Sequence, residues 1–115
     1  MLANSSALRQ LDPVRPVPAR LEHDKRLQFI VGRPSCVYWK GERIASKSTA
    51  DILIHLICHE GESITPSFFV ARLGLSAGTI SVLVARLRRR LHELGVGFNV
   101  SHSDSHEGWR LMRFE

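Results

Sequence analysis

From Leu27 onward, apolar and polar positions follow two different periods. Leu27-Gln-Phe-Ile-Val31 is apolar and partly β-branched, and Gly32-Arg-Pro34 breaks it. Cys36-Val-Tyr-Trp39 reads as a second short strand, Lys40-Gly41 as a tight turn, and Glu42-Arg-Ile-Ala45 as a third strand pairing back. A small antiparallel N-terminal sheet is expected. Ile52, Leu53, Leu56 and Ile57 then recur at helical spacing, with Ser48 or Thr49 as the cap, Asp51 in the first turn and an end near Glu60-Gly61. A second helix is predicted after Thr65, with Pro66 at its first position and Phe68, Phe69, Val70 and Leu73 apolar. Gly74-Leu-Ser76 is a short turn, and Ser76 caps a third helix from Ala77 to about Leu94.

The third helix has the clearest pattern. Ile80, Leu83, Val84, Leu87, Leu91 and Leu94 form one core-facing stripe. Gly78, Val82, Ala85, Arg86 and Arg89 fall on the opposite side, with Arg88 and Arg90 on opposite flanks. Gly95 and Gly97 end the helix. Phe98-Asn-Val100 begins a strand, residues 101–106 are a polar turn, and Gly108-Trp-Arg-Leu-Met112 is the return strand. Trp39 and Trp109 are expected to fill the core between this hairpin and the N-terminal sheet, and Phe68 and Phe69 are expected in the core as well.

Before Leu27 the pattern is lost. Pro13, Pro16 and Pro18 remove backbone donors and favour extended chain. Residues 1–26 are expected to form a flexible arm with one short helical turn around residues 6–10, and residues 27–115 the folded domain.

Composition narrows the function classes. The chain has 115 residues, enough for one domain, and 43% are hydrophobic. Lys and Arg number 16 against 11 Asp and Glu, a net charge of +5, with Arg predominating. Such a balance favours an anionic partner, nucleic acid first. No run approaches the roughly 20 apolar residues of a membrane span, so no membrane partner is expected. The first residues lack the apolar core of a secretory signal. Cys36 and Cys58 are the only cysteines and form no C-x-x-C pair, which argues against a disulfide scaffold or four-cysteine zinc site. A reducing, cytoplasmic setting follows.

Few residues suggest catalysis. No paired-carboxylate, Ser/His/Asp or phosphate-loop arrangement occurs, so the chain is read as a non-enzyme without a cofactor. His55 and His59 have the i, i+4 spacing that can serve one metal, but no Glu follows His55. They are read as boundary or surface histidines. His102 and His106, flanking Asp104, are read as phosphate-contacting or solvent-exposed. Cys36 and Cys58 are read as small buried apolar residues.

The order of helix, three-residue turn, basic amphipathic helix and β-hairpin is that of a winged helix-turn-helix. Gly78, Ser81, Val82 and Ala85 would let the third helix approach base edges in a groove about 12 Å wide. Arg86, Arg88, Arg89 and Arg90 can reach phosphates or the O6/N7 edge of guanine. Over residues 27–113 the chain resembles the OmpR/PhoB-type winged-helix DNA-binding domain, the effector part of response regulators. The segment Thr79-Ile-Ser-Val-Leu-Val-Ala-Arg-Leu-Arg-Arg-Arg-Leu91 is similar to that family's recognition helix with its Arg-Leu-Arg-x-x-Leu ending. Gly108-Trp-Arg-Leu111 is similar to the Gly-Tyr-Arg-Leu that closes its wing. The resemblance implies DNA contact by Thr79, Val82, Arg86, Arg88 and Arg110.

The chain departs from the family at Gly78, where Arg is common, at Ser81, where Asp is, and at Leu83, where His is. The family's loop between helices 2 and 3, which can engage RNA polymerase, is here only Gly74-Leu-Ser76. Twenty-six leading residues are too few for a receiver domain. The reading is therefore an α+β winged helix that binds double-stranded DNA as a transcription regulator, with the helix at 77–94 in the major groove and the hairpin at 98–112 as wing. His102, Ser103 and Ser105 add backbone contacts from the wing. A homodimer on DNA and contact with RNA polymerase or another regulator are the further partners considered. The competing class is a winged-helix module that binds protein and carries incidental basic charge.

Overall fold

The structure, a computed structural model, describes residues 19–102 and 108–114. A single 3-10 turn (Leu21–His23) is followed by three strands: β1 (Leu27–Ile30), β2 (Cys36–Trp39) and β3 (Glu42–Ser46). Three helices follow, α1 (Lys47–Cys58), α2 (Pro66–Leu73) and α3 (Ala77–Leu94), and then β4 (Phe98–His102) and β5 (Trp109–Arg113). The chain is α+β, with one three-stranded sheet in the order β1-β2-β3 and one two-stranded sheet, β4-β5. Both are antiparallel.

The β2–β3 hairpin turns at Lys40-Gly41, where both residues have positive φ, 50° and 83°. That is the backbone a two-residue hairpin needs to match strand twist. A register shift between Val37 and Tyr38 leaves one extra residue on β3. Ile44 and Ala45, adjacent in sequence, are consequently both buried.

Helix α1 starts earlier than its capping residues suggest. Ser48 and Thr49 lie inside the helix, Asp51 is in its second turn, and Ser46 stands at the N-cap without a side-chain bond. Strand β3 runs directly into the helix: Ser46 still pairs with Cys36, and the Lys47 N–H donates to the Ser35 carbonyl at 2.8 Å. A tertiary bond thus sets the start in place of a local cap. Ala50, Ile52, Leu53, Ile54, Leu56 and Ile57 are all buried, so α1 is apolar over most of its circumference and sits in the centre of the domain.

The other helices start and stop where the sequence signals lie. The Thr65 hydroxyl accepts from the Phe68 N–H at 3.3 Å, Pro66 opens α2, and Gly74 closes it in the left-handed region. On α3, Ile80, Val84, Leu87 and Leu91 are buried, and Leu83 and Leu94 are half-buried against the same core.

Two aromatic contacts join the layers. Trp39 meets Phe98 edge-on at 5.5 Å, linking the first sheet to the β4-β5 hairpin as expected. Trp109 is buried differently, against Phe69 of α2 at 6.3 Å. The reason is a bridge absent from the sequence reading: Ile64 and Trp109 exchange both backbone hydrogen bonds, at 2.8 and 2.9 Å, drawing β5 to the α1–α2 connection. Gly108 precedes this bridge with φ +110°, and a Cβ there would collide with the Ile64 carbonyl.

Three expectations need correction. Phe68 is 37% exposed, because its neighbour Phe69 takes the inward position on a short helix. Cys36 and Cys58 are half-buried, not buried. Residues 19–26, assigned to the arm, are anchored to the domain, although most of their side chains are exposed. Leu21 is buried, and its N–H donates to the Glu60 carboxylate at 2.8 Å. The Arg113 guanidinium binds that same carboxylate and the Ala19 carbonyl. Residues 1–18, including the helical turn expected at residues 6–10, lie outside the described residues. Among the described residues, no single helix is long and apolar enough to cross a membrane.

Three substitutions test this packing by denaturant unfolding. Leu87→Ala is expected to lower stability by about 2–5 kcal/mol. Gly108→Ala is expected to break the Ile64–Trp109 bridge and destabilise the fold strongly, whereas Gly78→Ala, with nothing nearer to the new methyl than 4.0 Å, is expected to be tolerated.

Candidate nucleic-acid interface

The site is built on the outer face of α3. Helices α2 and α3 are joined by Gly74, Leu75 and Ser76, and the chain bends by 106° between them. Leu75 is half-buried against the core, which anchors the turn. The Ser76 hydroxyl accepts from the Thr79 N–H at 3.1 Å and pairs with the Thr79 hydroxyl at 2.9 Å. The N-terminal turn of α3 is therefore closed by its own side chains.

Because Ile80, Val84, Leu87 and Leu91 point inward, the residues between them point outward. Gly78, Thr79, Ser81, Val82, Ala85, Arg86, Arg88 and Arg89 are all exposed. Val82 is 49% exposed, a β-branched apolar side chain that contributes little to the fold. No carboxylate offsets Arg86, Arg88 and Arg89: none of the three forms an ion pair among the described residues. The exposed face is thus small and uncharged at its N-terminal end and cationic farther along.

Two cross-links fix this face in rotation. Arg90 is half-buried and turns away from the other arginines, donating to the Arg43 carbonyl on β3 at 3.0 Å. On the other flank, the Asn99 amide of β4 donates to the Arg88 carbonyl at 3.2 Å. The sequence reading grouped Arg90 with Arg86, Arg88 and Arg89, and the structure separates it.

The structure also adds two residues. Ala85, Arg88, Arg89, His92 and Asn99 line one open depression between α3 and β4. His92 follows Arg88 and Arg89 by helical spacing, so its place was readable; the pairing of Asn99 with the helix was not. On the hairpin, Ser101 pairs with Arg110 and His102 with Trp109. Arg110 is half-buried and His102 exposed. Ser103 and Ser105, with Asp104 and His106, lie outside the described residues.

The remaining chemistry-bearing groups stand apart. Among the described residues, no three His, Cys, Asp or Glu side chains gather as a metal site. His59 lies 3.9 Å from Glu62. His55 meets Phe68 edge-on at 5.3 Å. Burial pushes the Cys58 thiol up, and the Glu22 carboxylate adds to that, which disfavours a nucleophilic thiolate. No family model matches the chain, and no curated protein matches it.

His55 gives this region a pH dependence. Burial first, then Arg72 and His59, holds its pKa below the ordinary 6.5. The unfolded chain therefore binds a proton that the folded chain resists. Its contribution to stability is fully present above about pH 6.5 and is lost as the pH falls below that value. Melting curves should show His55→Gln losing less stability than the wild type between about pH 7.5 and 5.

Proposed function

We propose that this chain is a winged-helix protein of the OmpR/PhoB type that binds double-stranded DNA sequence-specifically and regulates transcription. The observation that carries the reading is the outer face of α3, where Arg86, Arg88 and Arg89 are exposed without carboxylate partners beyond a row of small side chains. The bend of 106° across a three-residue turn suits a helix-turn-helix, whose helices meet at roughly 90–120°. The β4-β5 hairpin that follows α3 supports the wing.

In this reading α3 enters the major groove by its N-terminal half. Gly78 and Ala85 keep the backbone close to the bases, Thr79, Ser81 and Val82 face base edges, and Arg86 and Arg89 reach guanine edges or phosphates. The depression around Arg88, Arg89 and His92 suits a phosphate, and His102 and Arg110 of the hairpin add backbone contacts. Arg90 is left with a structural part, holding α3 to β3. One such module buries about 600–1,000 Å² of protein surface, so tandem or dimeric binding would supply further affinity. A transcription regulator of this kind works on cytoplasmic DNA.

Selection from random duplexes at low and moderate salt tests the reading. An enriched motif is expected, with affinity falling by about 0.9 log units per log unit of salt for each phosphate contacted. Salt-sensitive binding without a motif would indicate a nonspecific DNA binder. Absence of binding at both salts would favour a winged-helix module for protein partners. Arg86→Ala is expected to weaken binding by about 1–3 kcal/mol with an unchanged melting temperature, because its side chain is exposed.

A further inference from the structure

A second surface lies on the first sheet and makes no use of the face of α3. Among the described residues, strand β1 is an outer strand, paired only with β2. The Lys40 N–H donates to the Arg26 carbonyl at 2.7 Å. Backbone groups along an antiparallel pair alternate in direction, so Gln28 and Ile30 turn theirs toward β2, while Phe29 turns its own outward. The Phe29 N–H and C=O are the middle of an open edge. Leu27–Ile30 is short and its Leu27 N–H is taken by the Asp24 carbonyl at 3.0 Å, but the strand carries no proline, charge or bulge that would block Phe29.

The side chains around this edge are unusually apolar for a surface. Ile30 is 60% exposed and Val31 is 72% exposed. Ile30 lines an open groove on the sheet with Gln28, Tyr38 and Gly41. The charge around it is mainly positive, with Asp24 and Glu42 at its margins. From Lys25 to Gly41 the chain contains no acidic residue, only Lys25, Arg26, Arg33 and Lys40. Arg26 is held by Asp24 at 2.8 Å and covers Trp39. Lys25, Arg33 and Lys40 form no ion pair among the described residues.

We propose that the β1 edge accepts an extended segment of a partner protein as a fourth strand, a segment apolar in its middle and acidic at its ends. Phe29 supplies the central backbone hydrogen bonds. Ile30 and Val31 pack against alternate side chains of the added strand, and Lys25 and Arg33 meet its terminal carboxylates. Backbone bonds give such strand addition its affinity, and the flanking side chains give it selectivity. A second copy of the chain is a poorer occupant. Antiparallel pairing centred on Phe29 would bring the turn that carries Lys25 in one copy toward the turn that carries Arg33 in the other, cation toward cation. Nucleic acid would be drawn to the cations but gains nothing from Ile30 and Val31.

The test uses the full chain labelled for NMR and a synthetic peptide of alternating valine and threonine flanked by aspartates. The Phe29 amide is expected to shift and to gain protection from exchange, while Gln28 and Ile30 change little. A lysine-flanked version of the peptide is expected to bind at least about tenfold more weakly. The Lys25→Glu/Arg33→Glu double variant should reverse that preference and melt as the wild type does, since both side chains are exposed. An unchanged Phe29 amide at millimolar peptide would overturn the proposal, as would equal binding of the two peptides. Protection of that amide by self-association in sedimentation runs, or by duplex DNA, would also overturn it.

Discussion

The rotation of α3 about its own axis is the constraint on which the rest depends. A helix that buries one stripe must display the opposite one. Ile80, Val84, Leu87 and Leu91 occupy the buried stripe, so Arg86 and Arg89 have nowhere to go but outward. Hydrophobic burial alone would tolerate some slippage about the axis, since Leu83 and Leu94 are only half-buried at its margins. The hydrogen bonds from Arg90 to β3 and from Asn99 to the Arg88 carbonyl remove that freedom, one on each flank. The exposed row is thereby held in direction by two sheets, the preorganisation that the proposed DNA contact would use.

Much of this was legible in the sequence because it rests on local chemistry. Thr65 and Ser76 accept from the N–H three residues on, Gly74 and Gly95 adopt the left-handed conformation, and so α2 and α3 start and stop where residue type alone places them. The stripe on α3 was legible for the same reason: spacing along one helix requires no knowledge of the partner. What escaped reading involves groups far apart in the chain. Glu60 accepts from Leu21, 39 residues earlier, and from Arg113, 53 residues later. No local signal announces that a polar carboxylate gathers both ends of the domain, so residues 19–26 looked like free arm. The start of α1 failed similarly, because the Lys47 N–H finds its acceptor in Ser35 across the sheet. Phe68 and Phe69 show the limit of composition: both are apolar, and only the rotation of a short helix decides which one is buried.

Within the candidate site, the same division holds. Exposure of Gly78, Thr79, Ser81, Val82 and Ala85 follows from helical spacing, and so does exposure of Arg86 and Arg89. Arg90 could not be sorted from its neighbours by sequence, since its separation depends on where the Arg43 carbonyl lies. His92 follows Arg88 and Arg89 by helical spacing, whereas Asn99 entered only once β4 was seen against α3.

The two cationic surfaces differ in what accompanies the charge, and that difference argues for different partners. On α3 the arginines stand beyond small side chains that let a polyanion approach the helix backbone. On β1 the charges flank exposed Ile30 and Val31 and the outward N–H and C=O of Phe29, a donor and acceptor pair that another strand can match and a phosphate, which only accepts, cannot. The sheet order also separates them. Arg90 ties α3 to β3, and β2 stands between β3 and β1, so the β1 edge lies on the far side of the sheet from that attachment. A strand added to β1 would extend the sheet away from α3 and leave its outer face uncovered. The two proposed contacts are therefore compatible: DNA on the outer face of α3 would leave the β1 edge free for a protein segment.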